Sequence, residues 1–221
     1  MANSSPAFPR GTPRFLIGDD HPYVRIGIRQ LLTDHFPGAA IAEAPDAAAI
    51  VAAVAREPWD VIFLDLSLPD GSGVDLVPEL KRLRPSMRIL ILTVADETQM
   101  GVRLMRAGVA GYLAKEAVPE EFYGAVVQVL AGGKYVGPRL AEQLAQALDG
   151  STPPAAHAAL SPREFQVVRL LAAGHTASEI AALLKLDVRT IGTFRRNILR
   201  KLQLHTTQQI IYYAYRHRLV T

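Results

Sequence analysis

The sequence predicts an α/β domain built on a doubly wound, five-stranded parallel sheet, followed by an all-α domain of four short helices. Residues 14–131 alternate five short apolar runs with segments of helical periodicity, which is the pattern of successive β-α units. From residue 161 onward the periodicity is helical only. A stretch rich in proline and glycine separates the two regions, and 221 residues are enough for two modest domains.

The apolar runs define the predicted strands. All but the last are continuous or nearly so, as is typical of strands that helices cover on both faces. The predicted strands are residues 15–17, 41–44, 61–64, 89–94 and 112–113. The predicted helices that follow them are residues 23–35, 46–56, 74–84, 98–106 and 120–130. Five β-α units in this order indicate a parallel sheet with helices on both sides.

The helices of the second domain begin at residues that cap helices well. Ser161 and Thr176 each precede a glutamate by three residues, which is the capping-box pattern, and Asp187 can cap the helix after it. A connecting helix over 140–148 and a linker over 149–154 precede these caps. The predicted organisation is a disordered lead-in (1–13), a first domain (14–131), a linker with a connecting helix (132–159) and a second domain (160–221).

The composition excludes several classes of protein. The chain has no cysteine, which rules out disulfides, cysteine-based zinc sites and thiol catalysis and fits a reducing cytoplasm. No apolar run reaches the roughly 18 residues that a membrane-spanning helix needs. The first residues have neither the basic nor the apolar segment of a secretory signal. We therefore expect a cytoplasmic protein with no membrane partner.

The charge is divided unequally along the chain. Residues 1–150 contain 14 Lys and Arg against 18 Asp and Glu, a balance of −4. Residues 151–221 contain 10 Lys and Arg against 3 Asp and Glu, a balance of +7, so the formal net charge of +3 conceals two oppositely charged parts. A strongly basic C-terminal domain suggests a polyanionic partner such as nucleic acid.

Polar residues follow the strands of the first domain at their carboxyl ends, where open parallel sheets bind ligands. Asp19 and Asp20 follow the first predicted strand, Asp65 the third, Thr93 lies at the end of the fourth and Lys115 follows the fifth. Clustered carboxylates need a counter-charge, and oxygen ligands favour a hard cation such as Mg²⁺. Asp65 could then act as a nucleophile toward a phosphoryl group, with Thr93 and Lys115 binding its oxygens.

These residues stand in motifs that resemble a known family. The motifs are GDDHP at 18–22, FLDLSLPDGSG at 63–73, LILT at 90–93 and GYLAKEA at 111–117. Together they resemble the receiver domain of bacterial two-component response regulators, which has a flavodoxin-like (CheY-like) fold. The family often has a proline after the lysine, whereas Glu116 stands here, and we expect this difference to affect the loop rather than the chemistry.

The resemblance implies a role for each residue of the cluster. Asp65 is the phosphoacceptor, which a sensor histidine kinase phosphorylates. The implied Mg²⁺ ligands are Asp19, Asp20, Asp65 and the backbone carbonyl of Ser67. Thr93 and Lys115 are the implied phosphate partners, and Tyr112 is the aromatic side chain whose rotation reports phosphorylation.

The helix predicted over 188–203 has two faces of different character at 100° per residue. The apolar face carries Ile191, Phe194, Ile198 and Leu202, and the opposite face carries Arg189, Thr193, Arg196 and Arg200. A helix that docks through one face and presents basic side chains on the other can enter the major groove of DNA. In the preceding segment, 178–184, we expect burial of Ile180, Leu183 and Leu184.

Residues 160–204, LSPREFQVVRLLAAGHTASEIAALLKLDVRTIGTFRRNILRKLQL, resemble the LuxR-type helix-turn-helix. With the receiver motifs, they identify the chain as similar to bacterial response regulators of the NarL/FixJ class, which are regulators rather than enzymes. The resemblance implies that 188–203 is the recognition helix on promoter half-sites and that 207–216 serves a homodimer. The expected DNA-contacting residues are Arg189, Thr190, Gly192, Thr193, Arg195, Arg196, Asn197, Arg200 and Lys201. Among them, Arg196 and Thr193 should read bases, and Arg200 and Lys201 should meet phosphates.

Two residues depart from the family pattern in the recognition helix. Gly192 stands where members often have a lysine or glutamate near the bases, and Phe194 stands where a histidine is usual. The family's sequence preference therefore does not transfer to this chain.

Two other functions are compatible with parts of the sequence. An aspartate-based phosphohydrolase would use Asp65 as its nucleophile, but such enzymes have a second aspartate two residues later, where Ser67 stands, and their nucleophile follows the first strand. A regulator governed by protein contacts instead of phosphate would not need the complete set of acceptor, acidic pair, Thr93 and Lys115.

Overall fold

The computed structural model describes residues 11–93, 98–148 and 155–220, which fall into two compact units that divide between Ala141 and Glu142. The division lies inside the predicted linker, 132–159. Most of the predicted lead-in (1–10) and the predicted linker residues 149–154 lie outside the described residues. Within the part of the chain that the structure describes, no helix is long and apolar enough to cross a bilayer.

The first unit contains a parallel sheet in the order β2-β1-β3-β6-β7-β8. Its strands are β1 (Arg14–Gly18), β2 (Ala40–Ala44), β3 (Val61–Asp65), β6 (Arg88–Thr93), β7 (Gly111–Ala114) and β8 (Tyr135–Val136). The five predicted strands are all present. The sixth strand, β8, is two residues long and is not among the predicted strands. It pairs with β7 beside Gly111, where a Cβ would lie 2.9 Å from the Tyr135 carbonyl oxygen, so the missing side chain lets this edge approach.

Helices cover both faces of the sheet. They are α1 (Pro22–His35), α2 (Ala47–Arg56), α3 (Gly73–Leu83), α4 (Thr98–Arg106) and α5 (Pro119–Leu130). Helices α1 and α5 contact each other on one face, where Phe63 packs between Phe15 and Phe122 with ring centroids 5.9 and 5.3 Å away. Helices α2 and α3 contact each other on the other face. Covering of both faces explains the continuous apolar sequence of the central strand β3, which is buried throughout.

The connection from β3 to α3 forms a small antiparallel hairpin of β4 (Ser67–Leu68) and β5 (Gly71–Ser72). Asp70 anchors it, since its two carboxylate oxygens accept hydrogen bonds from the Ala47 and Ala48 amides of α2 at 2.7 and 2.9 Å. A Cβ on Gly73 would lie 2.2 Å from the Asp65 carbonyl oxygen. The chain therefore folds closely around the end of β3.

Helix α6 (Pro138–Leu148) spans the division between the two units. The rest of the second unit is a helical bundle. Its helices are a short 3₁₀ helix (Ala156–Ala159), α7 (Pro162–Ala172), α8 (Ala177–Leu184), α9 (Val188–Leu202) and α10 (Thr207–Arg216). The three predicted caps are confirmed: Ser161 and Thr176 form capping boxes, and the Asp187 side chain accepts from the Thr190 amide. A left-handed Lys185 ends α8 and opens the turn to α9.

The predicted burial of α8 was wrong at one position. Ile180 is fully buried, but Leu183 is 56% exposed and Leu184 is only partly buried. The second buried residue is Ala181 instead. An eight-residue helix that packs through the side carrying Ile180 and Ala181 turns Leu183 to solvent.

Candidate functional site

The order of the strands brings four of the predicted site residues to one edge of the sheet. Strands β1, β3, β6 and β7 are consecutive neighbours and run parallel, so their carboxyl ends lie side by side. Asp65 and Thr93 are the last residues of β3 and β6, while Asp19 and Lys115 follow β1 and β7 directly. The predicted cluster at the sheet edge therefore forms from residues that are far apart in the sequence.

Lys115 joins two of the buried carboxylates. Its Nζ lies 2.7 Å from Asp19 Oδ2 and 2.8 Å from Asp65 Oδ2. Asp19 is fully buried, Asp65 is 4% exposed and the Lys115 side chain is 9% exposed. The Lys115 amide also donates to the Thr93 carbonyl oxygen at 2.7 Å, which holds the lysine at the end of the sheet.

Burial and mutual attraction shift the pKa values of both Asp65 and Lys115. Burial raises the pKa of Asp65, and the hydrogen bond and charge of Lys115 offset only part of that effect, while the charge of Asp19 adds to it. The Ser67 backbone amide donates to the Asp65 carboxylate, and this hydrogen bond lowers the pKa of Asp65. Burial alone would lower the pKa of Lys115, but Asp19 and Asp65 together outweigh it and raise that pKa. A poorly solvated carboxylate beside a persistent ammonium suits attack on an anionic phosphoryl group.

A fourth group, His21, completes the acidic site, and the sequence interpretation missed it. Its Nδ1 lies 2.7 Å from Asp20 Oδ1 and 3.2 Å from Asp19 Oδ1. Asp19, Asp20, His21 and Asp65 each offer one ligand atom, and these four atoms lie within 4.8 Å of one another. The three carboxylates carry more negative charge than the Lys115 ammonium neutralises, so the donor set fits a divalent cation. The signal for His21 was its place directly after the aspartate pair.

The remaining predicted residues of the first unit lie close to this edge along the chain. Thr93 is 8% exposed at the end of β6. Tyr112 is buried in β7, three residues before Lys115. Ser67 is exposed in the hairpin that follows Asp65. Arg25 of α1, which was not predicted, donates from Nη1 to the Asp19 main-chain oxygen at 2.7 Å and braces the β1–α1 connection.

Helix α9 has the two faces that its sequence predicts. Ile191, Ile198 and Leu202 are buried, and Phe194 is partly buried. Five of the predicted DNA-contacting residues are exposed to solvent: Arg189, Thr193, Arg195, Arg196 and Arg200. Gly192 is partly buried, and a Cβ added there would meet no atom within 4 Å, so open space adjoins the helix backbone at this point.

Several of the predicted DNA-contacting side chains make hydrogen bonds within the protein. The Thr190 hydroxyl donates to the Asp187 carboxylate at 2.8 Å, and Asn197 Oδ1 accepts from Arg200 at 3.4 Å. Lys201 donates from Nζ to Glu164 Oε2 at 2.6 Å. Glu164 is almost fully buried and also accepts from the Ser161 amide in the capping box of α7. The Lys201 ammonium is therefore directed at α7.

A buried arginine that the sequence did not reveal supports the helix-turn-helix. Arg163 is 4% exposed, and its Nη2 donates to the Leu184 carbonyl oxygen at 3.0 Å. Its Nη1 donates to the Gln166 side chain at 2.8 Å. A cation at the carbonyl end of α8 interacts favourably with the helix dipole and satisfies a terminal carbonyl. Arg163 thus holds the start of the turn against α7.

Two protein families match the two units. Residues 15–127 match the family described as "Response regulator receiver domain", and residues 158–214 match "Bacterial regulatory proteins, luxR family".

Relatives of known name cover nearly the whole chain. The response regulator GacA of Pseudomonas aeruginosa is 33% identical over 94% of this chain and 97% of its own length. The nitrate/nitrite response regulator protein NarP of Escherichia coli K12 is 34% identical over 90% and 93%. A solved structure similar to this chain is that of RcsB from Salmonella enterica serovar Typhimurium, bound to promoter rprA in the presence of phosphomimetic BeF₃⁻. Its TM-score is 0.65 at 26% identity, covering 92% of this chain and 98% of RcsB.

Proposed function

The chain belongs to the response regulators of the NarL/FixJ class, and from this membership we propose that phosphorylation of Asp65 controls its binding to promoter DNA. The single observation that carries the proposal is the ion-paired, buried Asp65 at the sheet edge, with Lys115 Nζ 2.8 Å from its Oδ2. Members of the family are transcriptional regulators. The chain accordingly acts as a stoichiometric phosphoacceptor rather than as an enzyme, in the bacterial cytoplasm.

Phosphorylation proceeds by attack of an Asp65 carboxylate oxygen on the phosphorus of a phosphohistidine in a sensor histidine kinase. The new bond is the P–O bond of an acyl phosphate, the P–N bond breaks, and the leaving imidazole keeps the electron pair and takes up a proton. Lys115 is already placed to stabilise the negative charge of the transferring group, because its ammonium lies against the nucleophile.

Receiver domains generally bind Mg²⁺ at their acidic pocket, and the residues that would hold it here are Asp19, Asp20, Asp65 and the Ser67 backbone carbonyl. When bound, the ion supplies positive charge to the phosphoryl oxygens. The protein's own contribution is to bury Asp19, to keep Asp20 at its side and to hold Lys115 across the site from His21.

Thr93 and Tyr112 transmit the modification. We assign the Thr93 hydroxyl to a hydrogen bond with the new phosphate and the Tyr112 ring to a rotation that follows it. These movements favour a homodimer, and the dimer presents two copies of α9 to promoter half-sites. RcsB, which is similar over its full length, has been solved as two dimers bound to two parallel DNAs.

Helix α9 enters the major groove through its exposed basic face. Arg196 and Thr193 read bases, and Arg200 meets phosphates, as their positions along a recognition helix suggest. The other DNA-facing residues are Arg189, Gly192 and Arg195. Because Lys201 pairs with Glu164, we assign Lys201 to holding α9 against α7.

The test is labelling of Asp65 with a small phosphodonor and Mg²⁺. Intact-mass spectra of the wild type should show one added phosphoryl group that alkali and hydroxylamine remove. Asp65→Asn should show none, and Asp20→Ala should lose both labelling and its Mg²⁺ dependence. Asp34→Asn, which changes an exposed aspartate of α1, should be labelled like the wild type. Equal labelling of Asp65→Asn and wild type would move the acceptor elsewhere.

A further inference from the structure

His21 presents an imidazole nitrogen to the acidic site. Its backbone amide donates to Asp19 Oδ1 at 2.8 Å, which fixes the start of α1 over the aspartate pair. Its Nδ1 lies 2.7 Å from Asp20 Oδ1 and 3.2 Å from Asp19 Oδ1. The His21 side chain is 62% exposed, so the imidazole lies at the solvent-facing side of the acidic site.

Lys115 and His21 contact different oxygen atoms of the carboxylates. Lys115 contacts the Oδ2 atoms of Asp19 and Asp65, whereas His21 contacts the Oδ1 atoms of Asp19 and Asp20. The ammonium therefore leaves the group formed by His21 Nδ1 and the two Oδ1 atoms available. Donor atoms that share one six-coordinate ion at about 2.1 Å lie about 3 Å apart. The 2.7 and 3.2 Å distances from His21 Nδ1 to the two Oδ1 atoms match that spacing.

We propose that His21 is a nitrogen ligand of the divalent cation at this site, and that the site takes a first-row transition ion such as Mn²⁺ more tightly than Mg²⁺. The inference rests on the acidic site of the proposed function and adds a fourth side chain to it. With its proton on Nε2, the imidazole has a lone pair on Nδ1, and His21 and the aspartates then bind the ion instead of each other.

The chemistry of the ligands accounts for the selectivity. Mg²⁺ prefers oxygen donors and retains water, whereas imidazole binds transition ions more strongly than it binds Mg²⁺. A site that offers carboxylates and an imidazole together should therefore discriminate between the two ions. Mg²⁺ still binds through the carboxylates and supports phosphorylation.

The experiment measures metal binding to the full-length, metal-free protein by electron paramagnetic resonance. A Mn²⁺ titration gives the affinity from the signal of the free ion, and competition with Mg²⁺ gives the second affinity. Pulsed measurements on the bound Mn²⁺ detect directly coordinated ¹⁴N. His21 is the N-cap residue of α1, and asparagine is favoured at N-caps, so His21→Asn is the test variant. His205→Asn, which changes an exposed histidine of the second unit, is the matched control.

The wild type and His205→Asn should show ¹⁴N coupling, and His21→Asn should not. His21→Asn should lose about tenfold in Mn²⁺ affinity and less than about twofold in Mg²⁺ affinity. Bound Mn²⁺ without ¹⁴N coupling in the wild type, or equal losses for both ions in His21→Asn, would overturn the proposal. In either event Mg²⁺-dependent labelling of Asp65 would still support the proposed function. Absence of any divalent-ion binding would overturn the metal site in both.

Discussion

Gly73 shows how closely the backbone is packed around Asp65, the proposed phosphoacceptor. A Cβ at this position would lie 2.2 Å from the Asp65 carbonyl oxygen and 2.8 Å from the Leu66 Cα, and both are main-chain atoms that cannot move alone. Gly124 in α5 offers the opposite environment, because a Cβ there would meet nothing within 4 Å. The two positions form a matched pair for the same substitution.

Gly73→Ala should lower the free energy of unfolding by about 1–3 kcal/mol, because the methyl group forces the Asp65–Leu66 backbone to shift. Gly124→Ala should raise it by up to about 1 kcal/mol, since alanine is the better helix former. Denaturant titration followed by the fluorescence of Trp59, the sole tryptophan, reports on the first unit. Equal stability of the two variants would show that the loop yields easily.

Arg196 is the residue on which sequence reading by α9 should depend most. Arg196→Ala should cost about 1–3 kcal/mol of binding free energy and relax the preference at one base position of each half-site. Arg200→Ala should weaken binding to all sequences alike and reduce the salt slope by about one unit. Binding-site selection with each variant measures the difference. An unchanged motif for Arg196→Ala would show that this side chain does not read bases.

At the scale of the helices, two buried charges at the start of α7 tie it to α8 and to α9. Glu164 at the start of α7 binds Lys201 near the end of α9, and Arg163 binds the last carbonyl of α8. Charges as deeply buried as those of Glu164 and Arg163 stabilise a fold only when their partners are present. Both pairs therefore fix the orientation of the helices rather than add much net stability.

Lys201→Met should separate this positioning role from phosphate binding. Removing the ammonium leaves the Glu164 carboxylate without one of its partners, so the free energy of unfolding should fall by about 1–3 kcal/mol in far-UV circular dichroism. The slope of log binding constant against log salt concentration should stay at the wild-type value, in contrast to Arg200→Ala. A slope reduced by about one unit would restore the phosphate contact predicted from the sequence.

At the scale of the whole molecule, an acidic receiver and a basic DNA-binding unit are joined in one chain, with balances of −4 over 1–150 and +7 over 151–221. Phosphorylation can change DNA binding only if the phosphorylated receiver favours one state of the chain over another. In the proposed function that state is the homodimer. The coupling is thus measurable as a joint shift in association and in DNA affinity.

The beryllofluoride-treated wild type should shift from monomer toward dimer in sedimentation velocity experiments. It should also bind a DNA with two half-sites more tightly than the untreated protein does. On a DNA with a single half-site, the treated and untreated proteins should bind with the same affinity. Asp65→Asn should respond in neither measurement. A gain in DNA affinity without any change in association would mean that phosphorylation acts within one chain.

The sequence by itself determined the class of each unit and most of the site. Strand and helix positions follow from local periodicity. The caps at Ser161, Thr176 and Asp187 follow from the chemistry of the residue before each helix, and all three are confirmed. The sheet-edge cluster followed from one topological rule, because parallel strands place their carboxyl ends together. Comparison with relatives confirms the receiver and LuxR-type resemblance that these motifs indicated.

The tertiary structure alone decided which partners the long or exposed side chains find. Lys201 reaches a glutamate 37 residues away, the two-residue strand β8 finds a place beside Gly111, and Leu183 faces solvent. His21 joins the acidic site because the turn before α1 directs its ring toward the aspartates. Local patterns cannot specify such contacts, since each depends on the distance and angle between elements that only the packed core sets.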